Sequence, residues 1–245
     1  MDPAQTPGQP AARYIDLNAD LGEGVTDDTG LLAVVTSANV ACGFHAGDAA
    51  VMRAVCESAA ARGVVVGAQV SYLDRDGFGR RPMDVAAEVL TGWVAEQVEA
   101  LRAAAALVGI EVAYLKPHGA LYSRVVDDDG QAEAVLAGSG DLPVLGLPGS
   151  VLLRLAAERG RVAVPEGFPD RGYTPDGRLV PRSEPGALVH GPDSVAANAV
   201  ALAEAGEVDT VCVHGDSPVA VEAARAVRQA LVDAGYHVRP WVETR

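Results

Sequence analysis

Several short stretches set ionisable side chains where an apolar run gives way to a turn. In "VACGFHAGDA", residues 40–49, an imidazole (His45) and a carboxylate (Asp48) fall at such a junction. Gly43 and Gly47 permit a sharp turn there, and Asp48 is placed to cap a helix over 48–62. In "YIDLNADLGEG", Asp16, Asn18 and Asp20 alternate with Ile15, Leu17 and Ala19. The two-residue period of a strand puts those three polar side chains on one face. By the same count Lys116 and His118 share a face in "YLKPHGALY", Gln69 and Ser71 in "GAQVSY", and Cys212, His214 and Asp216 in "TVCVHGDSP". Carboxylates, imidazoles and an ammonium gathered in one place can move protons, orient water and hold oxyanion or phosphate charge.

The elements that must position these groups alternate along the chain. Strand-type runs fall at 14–20, 38–44, 64–71, 112–117, 142–147, 161–165 and 210–214, with a weaker one at 236–241. Helix-type segments lie between them at 28–35, 48–62, 84–108, 128–138, 150–159, 193–205 and 216–234. Such alternation implies a parallel sheet with helices outside it. An open sheet covered on both faces would have strands apolar throughout. The polar faces fit a closed β/α barrel instead, with its chemistry at the mouth formed by the C-terminal strand ends. The expectation is one barrel domain over residues 13–245 behind a flexible tail at 1–12, whose sequence "MDPAQTPGQPAA" has no Lys, no Arg and no apolar run.

Composition narrows the partners. The 245-residue chain is 49% hydrophobic and carries a net charge of −14, so DNA, RNA and anionic membranes are poor partners. Cys42, Cys56 and Cys212 form no CxxC pattern and point to a reducing cytoplasm. Arg75, Arg80 and Arg81 in "DRDGFGRRPM", and Arg171 at the head of the Gly- and Pro-rich stretch after residue 166, are candidates to clamp a phosphate or carboxylate. Tyr173, Arg178 and Arg182 follow in the same stretch. There is no GxxxxGKS or GxxxxGKT, so any ATP contact would not use a Walker-type loop.

The segments "IDLNADLGEG", "TSANVACGFHAGD", "GFGRRPM", "KPHGALY", "DRGYTPDGRLVPRSEPGALVH" and "VCVHGD" together resemble the LamB/YcsF family, in the same order from about residue 14 to 235. The resemblance implies a seven-stranded β/α barrel of the glycoside hydrolase/deacetylase type. It also implies ATP-dependent opening of 5-oxo-L-proline to L-glutamate, with ATP and Mg²⁺ as cofactors and 5-oxoprolinase subunits B and C as partners. Two departures stand out: Gln69 where the family often has histidine, and Asn18-Ala19-Asp20 where many members have Asn-Cys-Asp. Gln69 and the lack of HxxxH or HExxH spacing argue against tightly bound zinc.

The expected site is Asp16, Asn18, Asp20, His45, Lys116 and His118. Lys116 would serve phosphate or oxyanion charge, His45 or His118 proton transfer, and Asp16 or Asp20 a base or the orientation of water. Two alternatives stay open: a stand-alone metal-dependent deacetylase or amidase, with its metal among Asp16, Asp20, His45 and His118, and a non-catalytic partner subunit. Lys116 is the only lysine among 19 basic residues. Arginine evidently serves the surface, so this position calls for a compact point charge that a planar guanidinium does not replace. Lys116→Arg is therefore expected to keep the fold and lower the turnover of the assembled complex by about a hundredfold. Steady-state kinetics within a few-fold of wild type would remove Lys116 from the site.

Overall fold

The computed structural model describes residues 12–25, 27–215 and 219–242. The expected tail at 1–12 falls almost wholly outside them, as does Asp216. The elements run β1 (Arg13–Leu21), α1 (Asp28–Leu32), β2 (Ser37–Ala41), α2 (Ala49–Ala60), β3 (Val65–Val70), α3 (Ala87–Ala106), β4 (Val112–Pro117) and α4 (Gly119–Arg124). They continue with α5 (Asp129–Gly138), β5 (Val144–Gly146), α6 (Val151–Glu158), β6 (Ala163–Gly167), α7 (Pro192–Ala205), β7 (Thr210–Val213), α8 (Ala220–Asp233) and β8 (Tyr236–Val238).

Strands β1 to β7 pair in parallel in chain order, and β1 pairs with both β7 and β2, which closes a seven-stranded barrel. β8 lies outside the ring, parallel to Arg13, Tyr14 and Ile15 at the start of β1. The weak run at 236–241 is thus an added strand beside the barrel. Two-residue alternation divides β1 as the sequence implies: Leu17, Ala19 and Leu21 belong to the apolar core, while Asp16, Asn18 and Asp20 are buried among polar side chains.

Helices α1, α2, α5 and α6 each start at a side-chain cap. The Asp48 carboxylate accepts the Val51 amide at 2.9 Å, and Met52, Val55, Cys56 and Ala59 form the buried stripe of α2. Asp128 caps α5 through the Gln131 amide at 3.0 Å. α7 opens with Pro192 and ends at Gly206, in the left-handed conformation at φ 72°. One glycine is fixed by close approach: a Cβ on Gly67 would lie 2.1 Å from the Tyr114 ring, which crosses the barrel interior.

Two of the boundaries that differ from the sequence reading bear on the site. β2 stops at Ala41 rather than near residue 44, because the chain turns at Gly43 (φ 95°) and Gly47 (φ 75°). β6 starts at Ala163, two residues later than expected, since the Arg161 amide still bonds the Ala156 carbonyl at the end of α6. The shift brings Glu166 into the strand. α4, a six-residue helix directly after β4, is an element the sequence reading left out. No helix among the described residues is long and apolar enough to cross a membrane.

Asp48→Ala should cost about 0.5–2 kcal/mol, the usual worth of a lost N-cap. Urea denaturation reads the difference; an unchanged midpoint would mean the cap contributes nothing.

Candidate functional site

The barrel interior is polar and layered. At the floor, the Asp16 carboxylate accepts hydrogen bonds from the hydroxyls of Thr36 (2.7 Å), Ser37 (2.7 Å) and Thr210 (2.5 Å). Burial outweighs those bonds and raises its pKa to about 6. One layer up, Asn18 donates to the Thr210 hydroxyl at 2.7 Å and accepts from the Asn39 amide at 2.7 Å. The Asn39 amide also reaches Asp20 at 2.9 Å, while its carbonyl accepts from Tyr114 at 2.7 Å.

The top layer centres on Lys116. Its ammonium lies 2.7 Å from Glu166, 3.2 Å from Asp20 and 3.0 Å from the Cys212 sulfur, and 5.0 Å above the centre of the Phe168 ring. Burial alone would lower its pKa, but the Asp20 and Glu166 carboxylates outweigh burial and hold it well above the usual value. Asp20 responds in kind: burial would raise it, and Lys116 and His214 bring it below the ordinary carboxylate range. Glu166 is raised, because burial exceeds what Lys116 returns. Lys116 is therefore a fixed positive charge rather than a base.

A second cluster lies beside it. The rings of His45 and His118 stack at 4.0 Å and 14°, and both Nε2 atoms approach one Glu23 oxygen, at 3.5 and 3.6 Å. The Gln69 amide donates to that same oxygen at 3.1 Å. Burial, with His45 and Arg80 nearby, keeps the His118 pKa well below the usual histidine value. These groups come from the ends of β1, β2, β3 and β4.

A cavity of about 670 Å³ opens above both clusters, lined by Asp20, Lys116, His118, His214 and segment 179–183. Arg80, Arg124, Arg171 and Arg182 also line it, so its charged wall is mostly cationic in a chain of net charge −14. An anionic ligand is the natural occupant. Arg171 donates to the carbonyls of Ala187 (3.0 Å) and Val180 (2.7 Å), and so ties that segment to the wall. His214 closes the far side. Its Nδ1 lies 2.8 Å from the Asp170 carboxylate, which also accepts the His214 backbone amide at 3.0 Å. Burial works against a charged imidazole there, but Asp170 prevails and raises the His214 pKa.

Among the expected residues, Asp20, Lys116 and His118 reach the cavity, and His45 stacks on His118. Asn18 lies a layer below, as a hydrogen-bond relay. Asp16 is at the floor, out of reach of a ligand in the cavity, because it precedes Asp20 by two inward-facing positions. Of the arginines, Arg80 and Arg171 line the cavity. Arg75 instead donates to the carbonyls of Gly43 (2.9 Å) and Gly47 (2.8 Å), which fixes the turn that carries His45. Arg81 is exposed and lies 3.3 Å from Asp74. Sequence reasoning missed Glu23, Glu166 and the Asp170–His214 pair. His214 had already been placed on the face of Cys212, whereas Glu23 lies beyond β1 with no periodicity to mark it.

The LamB/YcsF family model matches residues 15–245. The chain belongs to the LamB/YcsF family. A protein of Streptomyces coelicolor, named as the A component of 5-oxoprolinase, is 57% identical over 242 residues, covering 90% of this chain and 97% of that protein. One of Mycobacterium avium with the same name is 52% identical, covering 92% and 98%. The crystal structure of a lactam utilization protein from Thermus thermophilus superposes with a TM-score of 0.86 at 38% identity, covering 92% of this chain and 99% of that one. The deacetylase Bc1974 of Bacillus cereus shares the fold, with a TM-score of 0.53 at 14% identity, covering 94% and 93%.

Lys116→Met should destabilise this LamB/YcsF protein by about 3–5 kcal/mol, since it leaves Asp20 and Glu166 facing each other without a cation. Adding Glu166→Gln to that variant should recover part of the loss. Urea denaturation of the single and double variants checks both, and equal stability of wild type and Lys116→Met would refute the pairing.

Proposed function

We propose that the chain is the A component of an ATP-dependent 5-oxoprolinase, which hydrolyses 5-oxo-L-proline to L-glutamate together with subunits B and C. The observation that carries this reading is the name shared by relatives 52–58% identical along almost their whole length. The cationic cavity supports it. A lactam is a poor electrophile, and transfer of a phosphoryl group from ATP to its carbonyl oxygen makes the ring carbon open to water. Phosphate and the substrate carboxylate are both anions suited to Arg80 and Arg171. Mg²⁺ enters with the nucleotide. The free, buried state of Cys42, Cys56 and Cys212 agrees with a cytoplasmic setting.

In this reading, Lys116 and Asp20 set the charge at the cavity base. His214, held by Asp170, is the proton donor to the ring nitrogen as the C–N bond breaks. Water adds to the activated carbon, the ring nitrogen departs as the amine and leaves an acyl phosphate, and a second water releases inorganic phosphate to give glutamate.

The purified chain alone should show little 5-oxoproline-dependent ATP hydrolysis, and activity should appear on adding subunits B and C. Full turnover by the isolated chain would favour a stand-alone hydrolase.

A donor must be protonated, so activity of the complex should fall as pH rises through the raised pKa of His214. Asp170→Asn withdraws the charge that favours imidazolium, and should therefore move that alkaline limb to lower pH. A pH–rate profile with an unmoved limb would rule out His214 as the donor.

A further inference from the structure

We propose that the Tyr122 hydroxyl recognises the ring carbonyl of a lactam substrate. The contact rests on the function proposed above and adds to it the residue that selects a cyclic amide. The argument begins with the protons that the cavity base has already spent. An ammonium has three N–H bonds, and the nearest acceptors to Lys116 Nζ are Glu166 at 2.7 Å, Cys212 at 3.0 Å and Asp20 at 3.2 Å. Lys116 thus gives the base its charge and keeps no N–H for a ligand. His214 is engaged through Nδ1 with Asp170 at 2.8 Å, which leaves Nε2 as its one ring nitrogen for a ligand.

Tyr122 supplies the donor that Lys116 does not. It stands on α4 in the wall of the cavity and is only 6% exposed, yet its hydroxyl has no hydrogen-bond partner among the described residues. A buried hydroxyl is costly while unpaired, and a ligand that pairs it recovers that cost on binding. Burial, with the Glu166 carboxylate adding to it, holds the Tyr122 pKa well above the usual tyrosine value. The hydroxyl therefore keeps its proton at neutral pH and can donate it to an oxygen.

Phe168 holds the relevant groups around one ring. Tyr122 meets it edge-on at 5.3 Å and 88°, His214 stacks on it at 5.3 Å and 21°, and Lys116 Nζ lies 5.0 Å from its centre. Its backbone amide is fixed in turn by donating to the Tyr173 hydroxyl at 2.7 Å. A lactam carries its carbonyl oxygen beside its ring nitrogen, so the oxygen goes to Tyr122 and the nitrogen to His214. A neutral carbonyl also suits this end of the cavity, where Asp20 and Glu166 would oppose a second carboxylate. The substrate carboxylate belongs with Arg80 and Arg171 instead. A ring without the carbonyl leaves the hydroxyl unpaired, and sites built on a hydrogen bond reject such analogues.

The test uses the chain assembled with subunits B and C. Tyr122→Phe removes the hydroxyl alone and should raise KM for 5-oxo-L-proline about tenfold, with kcat within about threefold of wild type. Two competitive inhibitors give a reading that a structural role would not move. The ketone 3-oxocyclopentane-1-carboxylate keeps the ring, carbonyl and carboxylate of the substrate without its nitrogen, and cyclopentanecarboxylate lacks the carbonyl as well. In Tyr122→Phe the inhibition constant of the ketone should rise about tenfold while that of cyclopentanecarboxylate stays within about twofold. An equal rise for both inhibitors would overturn the contact, as would an unchanged KM. So would a lower urea midpoint for Tyr122→Phe, which would mean that the hydroxyl is already paired within the protein. Absence of 5-oxoproline turnover by the wild-type complex would overturn the function proposed above and this contact with it, whereas the other adverse results strike the contact alone.

Discussion

The structure depends on one buried cation. Lys116 sits inside the barrel between Asp20 on β1 and Glu166 on β6, beside Cys212 on β7. Three strands far apart in sequence are thereby tied through a single ammonium. Each carboxylate would be costly in this interior without it, and the ammonium would be costly without them. The arrangement explains why lysine stands here in a chain that otherwise uses arginine: the ammonium must fit among three side chains within 3.2 Å. A guanidinium is broader, and its donors fan out in a plane.

Below that cation, the polar interior is a relay. Tyr114 donates to Asn39, Asn39 to Asn18, Asn18 to Thr210, and Thr210 to Asp16 at the floor. Each donor has an acceptor one step deeper, so the interior avoids the cost of unmatched polar groups until the mouth is reached. The unmatched atoms of His45 and Gln69 lie buried in the cluster beside His118, outside this relay. A network satisfied at its base and open at its top holds the site residues still while leaving their reactive atoms available.

How much of this was legible in the sequence follows from which signals are local. The polar stripe of β1, the shared face of Lys116 and His118, and the Asp48 cap are read within a few residues, and the structure has each of them. Glu166 was hidden because the run at 161–165 looked like the whole strand, and only the turn at Arg161 shows that β6 begins later. Glu23 was hidden because it follows β1 in a glycine-flanked bend, where side-chain direction has no period. The arginines were half legible. Their charge was plain, but whether each met the cavity or a backbone carbonyl depended on turns that composition does not fix.

The mouth reverses the charge of the molecule around it. A surface with a net charge of −14 repels anions at long range, while Lys116 and four arginines line the cavity. Screening confines the repulsion to about 8–10 Å at physiological salt, so it acts on approach and fades inside a low-dielectric pocket. An anion that reaches the mouth meets a field of the opposite sign, focused by the barrel wall. The low dielectric of the barrel interior strengthens the attraction further, because a charge is worth more away from bulk water. The Arg171 bonds to Val180 and Ala187 carry consequence beyond packing: they hold segment 179–183 in place as part of this charged wall.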